Sequence, residues 1–195
     1  MTPVAYGAGN AEIGACSGSA SAGAGYPELP IPVAQLRQRV LSLKDRFFPD
    51  LKGLDPRIEV FQGGTDFLRA NLRPWTAFLP ADRREYLLQV NQALLADPPP
   101  PLALDAILVH ELTHLRDYRG MSPPRLVWFG LKYFLFPITA YERQTDENAL
   151  KLGQACGLIA YRRWLYAHEQ GAALVAKRRD YYTPEEILAW LRSNR

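Results

Sequence analysis

Apolar positions along this chain fall into distinct spacings, and each spacing predicts a different element. Val33, Leu36, Val40, Leu43 and Phe47 recur every three or four residues, the stripe of an amphipathic helix over about 32–47 that is introduced by Pro30 and Pro32. Between 57 and 91 the runs shorten. Segments 57–62, 74–79 and 85–91 read as extended, separated by Gly63-Gly64 and by Pro80-Ala81-Asp82. Helical spacing then returns: Leu102, Leu104, Ile107, Leu108, Leu112 and Leu115 form a broad apolar face over about 102–119, after Pro98 to Pro101 and before Gly120, Pro123 and Pro124. Two further helices are expected at 158–176 and 184–193. The second starts at Thr183-Pro184-Glu185-Glu186, a Thr cap followed by Pro and an acidic first turn. This order predicts an α+β fold: a small mixed or antiparallel sheet packed on the 102–119 helix, with a mostly helical C-terminal half.

At 195 residues and 48% apolar content, the chain can bury one core. Residues 1–25 are rich in Ala, Gly and Ser and hold too few large apolar groups to offset the entropy of ordering, so they read as a flexible tail before a single domain at 26–195. A net charge of +3 without any Lys/Arg block argues against a nucleic-acid partner. A secretory signal is not expected at the start, because a basic leader is missing and Asn10 and Glu12 interrupt any apolar run. Ile13-Gly14-Ala15-Cys16 resembles a bacterial lipoprotein cleavage box without its preceding apolar stretch, so lipoprotein export is not expected. Cys16 and Cys156 are the two cysteines, one in the tail and one in an expected helix. A disulfide framework is therefore not expected, Cys156 reads as a small buried apolar residue, and a cytoplasmic location is favoured.

The chemistry concentrates at His110-Glu111-Leu112-Thr113-His114, an H-E-x-x-H pattern inside the 102–119 helix. Positions i and i+4 share a helix face, so both imidazoles can reach one cation. Zinc, one ion per chain, suits such donors, and a catalytic site needs a third protein ligand with one position left for water. Glu111 projects about 100° away from His110 around the axis, where it can act as general base toward that water. The best candidate for the third ligand is Glu142, in a helical stretch where Asp146 lies one turn on. Asp146 could then hydrogen-bond the far nitrogen of His110 or His114 and fix its tautomer. An alternative makes Asp146 itself the third ligand.

H-E-x-x-H followed by a helix bearing E-x-x-x-D resembles the gluzincin group of zinc metallopeptidases, and the chain's size is similar to its compact, minigluzincin-like members. Over about 57–156 this resemblance implies a zincin-like fold, with His110, His114 and Glu142 as zinc ligands, Glu111 as catalytic base and Asp146 as the orienting carboxylate. The longer metzincin motif does not fit, because Asp117 and Gly120 stand where it needs a glycine and a ligand. The resemblance further implies that the last strand before the active-site helix, through Leu87 to Asn91, edges the cleft and pairs with an extended peptide or protein substrate. It also implies an oxyanion-stabilising group downstream. His168, the remaining histidine, is one candidate, and Tyr181 or Tyr182 are the others. The rival reading is a non-catalytic zinc-binding scaffold that holds a peptide without cutting it.

The most apolar stretch, from Leu126 to Ile138, lies between the two metal-binding segments. At 13 residues including Lys132 it is short of the roughly 20 needed to span a bilayer. A buried helix is the leading reading; the other is an exposed aromatic surface for peripheral contact with a membrane or partner.

Overall fold

A computed structural model of the chain describes Cys16 and residues 29–135 and 138–194. Apart from Cys16, the tail expected at 1–25 lies outside the described residues. Helix α1 (Val33–Phe47) buries Leu36, Val40 and Leu43, as its spacing predicts, while Val33 at its start is exposed.

Three strands follow, β1 (Arg57–Phe61), β2 (Leu68–Leu72) and β3 (Tyr86–Asn91), in the order β1-β3-β2. β3 runs parallel to β1, with Arg57 opposite Leu87, and antiparallel to β2, with Leu68 opposite Val90. Two of the sheet expectations need correction. Residues 74–79 are not a strand: Pro74 lacks an N–H and fixes φ, and Pro74–Thr76 forms a 3₁₀ turn instead. The missing strand is β2, whose alternation of Leu68, Ala70 and Leu72 with Arg69 and Asn71 is a short period-2 pattern. The strand at the free edge beside the central helix is likewise β2. β3, which the resemblance put at the cleft, is paired on both sides and buried along nearly its whole length.

After a short helix α2 (Gln92–Ala96) comes α3 (Pro101–Gly120), in which every residue from Ala106 to Leu115 is buried. A helix enclosed this fully needs partners around most of its circumference. They are α1, β2, α5 (Thr139–Lys151) and α6 (Ala155–His168). The α3–α6 contact is made backbone to backbone, since a Cβ at Gly157 would lie 2.5 Å from the Leu102 carbonyl oxygen and 2.6 Å from the Ala106 Cβ. Between α3 and α5 lies α4 (Pro123–Leu135).

The helix expected over 158–176 is two helices. Glu169 and Gln170 adopt extended backbone, Gly171 takes φ +57°, and α7 (Gly171–Asp180) sets off afresh. Helix α8 (Pro184–Ser193) begins with a reciprocal capping box between Thr183 and Glu186. The cysteines also depart from expectation. Cys16 and Cys156 form a disulfide with Cα atoms 5.1 Å apart, so neither is a free thiol. An Sγ joined to Cys156 cannot at the same time carry a lipid, and the argument for a reducing compartment from unpaired cysteines no longer holds. Among the described residues, no helix is long and apolar enough to cross a membrane.

Candidate metal centre

Helix α3 carries His110, Glu111 and His114, and α5 carries Glu142 and Asp146, so the two helices bring all five acidic and imidazole groups to one buried locus. Three donor atoms converge. His110 Nε2 lies 3.2 Å from His114 Nε2, and each of these nitrogens lies 3.3 Å from Glu142 Oε2. The trio could hold a metal ion. Glu111 stands apart from the triangle, its Oε2 accepting a 2.6 Å hydrogen bond from the Ala70 N–H of β2.

Each histidine is backed by a different group. His110 Nδ1 lies 2.9 Å from Asp146 Oδ1, a close approach that falls short of a well-aligned hydrogen bond. Asp146 is itself fully occupied: Arg162 holds both carboxylate oxygens at 2.8 and 2.9 Å, and the Tyr182 N–H donates at 2.9 Å. Among the two α5 carboxylates it is Glu142, not the engaged Asp146, that offers an oxygen alongside both imidazoles. His114 Nδ1 lies 3.0 Å from the Tyr141 hydroxyl, which donates to Asp117 Oδ2 at 3.1 Å. This Tyr141–Asp117 relay and the buried Arg162 were not anticipated. Both leave a trace in the sequence. Asp117 is one turn beyond His114, and Arg162 with Arg163 interrupts an otherwise largely apolar helical run.

The electrostatics follow from burial. Three carboxylates, Glu111, Glu142 and Asp146, face one guanidinium, Arg162, which leaves two formal negative charges in a region where these side chains are almost wholly shielded from water. Uncompensated charge of this kind is costly and calls for bound protons or a cation. Burial opposes ionisation of Glu142, yet hydrogen bonds from His110 and His114 hold its carboxyl well below the usual range. For Asp146 burial is outweighed by Arg162 and His110, again lowering it. Glu111 goes the other way: burial raises it, and the two histidines offset this only in part. His110 is desolvated, but its carboxylate neighbours Asp146 and Glu142 prevail and lift it to about 10.

Above this cluster opens a cavity of about 630 Å³ with Glu111, His114 and Glu142 at its base, β2 along one wall and Phe78, Leu126 and Phe129 among its apolar lining. Tyr181 also lines it. Its ring centre is 5.9 Å from that of His110, with the Arg162 guanidinium 4.6 Å and the Lys177 ammonium 5.4 Å from its ring centre. Burial and the Glu142 and Glu111 carboxylates push its phenol well up, so it is a neutral hydroxyl. Tyr182 turns its ring to Arg143 instead. His168 does not reach the site: at the end of α6 it stacks on Trp164 and lies 3.0 Å from Asp97, outside the cavity. The expectation of a catalytic His168 is corrected accordingly: the helix ends at His168, and it is Tyr181, after the next helix, that reaches the metal cluster. Compared with protein-family models, with curated proteins and with solved structures, the chain finds no match.

Proposed function

We propose that the protein is a zinc-dependent metallopeptidase. The observation that carries this reading is the triangle of His110, His114 and Glu142 donors at the base of an open cavity, with Glu111 beside it. Donors about 2.0–2.1 Å from a tetrahedral centre lie roughly 3.3–3.4 Å from one another, close to the spacing found, and two imidazoles with one carboxylate form a catalytic rather than a structural zinc set. Bound there, zinc would polarise a scissile carbonyl and acidify a water at the position left open.

The rest is done by the chain's own residues. Glu111, its carboxyl raised by burial, takes a proton from the attacking water and hands it to the leaving nitrogen. The Tyr181 hydroxyl is the donor best placed toward a developing oxyanion, since it is the candidate that lines the cavity. An extended peptide would lie along β2. The ladder bonds from Asn91 to Phe67 and from Arg73 to Glu85 put the odd-numbered residues toward β3, so Leu68, Leu72 and the Ala70 carbonyl face the open side, the Ala70 N–H being taken by Glu111. Asp146 with Arg162, and Tyr141 with Asp117, hold the two imidazoles in place.

Glu111→Gln is the test. It should retain bound metal while peptide turnover falls about 10²–10⁴-fold. Full turnover in that variant would refute the mechanism, and metal retention without cleavage by the parent protein across a broad peptide library would favour the non-catalytic scaffold.

A further inference from the structure

The cavity mouth is rimmed by apolar side chains that face solvent. On one side the turn after β2 exposes Trp75 (68%) and Phe78 (70%); on the other, α4 exposes Val127, Trp128 (60%), Leu131 and Leu135. Phe78 and Val127 belong to the cavity wall as well, so the exposed surface is continuous with the mouth. Positions 127, 128, 131 and 135 recur at helical spacing and form one face of α4, with Leu126 and Phe129 turned toward the body of the protein.

Charge identifies what this face meets. Segments 67–81 and 118–141, which hold both rims, contain five basic residues and none of the chain's 20 acidic ones. Arg73 is engaged by Glu59 and Glu85, and of the acids that flank these segments Asp66 pairs with Lys177 and Asp117 accepts from Tyr141, so Arg69, Arg119, Arg125 and Lys132 outnumber the exposed Asp82 and leave the rims net positive. A short amphipathic helix with tryptophan and leucine outward, interspersed cations and no anions suits the boundary of an anionic bilayer, and α4 is too short to cross one.

We infer that α4 and the turn carrying Trp75 and Phe78 form a docking surface for an anionic membrane, with the cavity mouth against the lipid. This inference stands apart from the catalytic reading, since neither zinc nor turnover enters it. The test is flotation of the full chain with vesicles of phosphatidylcholine alone and of phosphatidylcholine containing about one third phosphatidylglycerol, at low and high salt. The parent protein should bind the anionic vesicles preferentially and lose binding as salt rises. Trp128→Ser/Leu131→Ser and Arg125→Glu/Lys132→Glu should each weaken it about tenfold or more while thermal unfolding stays unchanged. Absence of binding to any vesicle, or equal binding by folded variants and parent, would overturn the assignment. So would a concentration-dependent dimer abolished by the same substitutions, which would give the face to a second copy of the chain.

Discussion

Helices α3 and α4 adjoin in sequence and both are rich in apolar residues, yet they do opposite things. α3 buries charge: His110, Glu111 and His114 sit in its buried middle beside Glu142, Asp146 and Arg162 from neighbouring helices, and the excess of carboxylates over guanidinium calls for bound protons or a cation. α4 exposes hydrocarbon, with Trp128, Leu131 and Leu135 facing solvent beside the cavity. The contrast teaches that apolar content does not decide burial. What encloses α3 is the set of elements around it, above all the close approach of α6 at Gly157. Among the described residues of α4, Leu126 and Phe129 pack against the core.

The buried charge around α3 depends most on Arg162. Arg162→Met removes the guanidinium nitrogen that donates to both Asp146 oxygens and strands a buried carboxylate, which should cost about 3–5 kcal/mol in denaturant unfolding. A loss near zero would mean that the charges around α3 are not held as a network. Next in size is Gly157→Ala. Its Cβ would press on the Leu102 carbonyl and Ala106, forcing α6 off α3 and destabilising by about 1–3 kcal/mol. Wild-type stability in that variant would show that the enclosure of α3 is looser than the geometry indicates. At the small end, Trp128→Ser on α4 should change unfolding by no more than about 0.5 kcal/mol, because the side chain is already largely in water. A loss of several kcal/mol would place α4 in the core and erase the contrast.

Much of the inner region was legible in the sequence. The four-residue spacing of His110 and His114 on a helix, and of Glu142 and Asp146 on another, fixes which side chains share a face, and helical geometry does the rest. The α1 stripe and the Thr183 cap were equally local signals, and the structure contains both elements. What escaped depends on partners distant along the chain. β2 is five residues long and gains its meaning from pairing with β3, while the prolines at 74 and 80 that frame an apolar run there in fact set turns. Tyr141 and Arg162 matter only through groups that tertiary packing brings to them, Asp117 and His114 in one case and Asp146 in the other. The resemblance implies a downstream oxyanion donor without saying which residue supplies it, and the end of the helix at His168 leaves that side chain beside Asp97. The Cys16–Cys156 link could not be read from two cysteines 140 residues apart. The α4 face was ambiguous for the same reason, since an apolar helix declares its faces only once its neighbours are known.

If α3 and α5 together build a metal site, the purified protein will carry the ion. Elemental analysis of the purified chain, beside Glu142→Ala, should find about one zinc per chain in the parent and little or none in the variant. A parent that takes up no metal when zinc is offered, or a variant that binds it as tightly, would contradict the three-donor site and with it the hydrolytic reading.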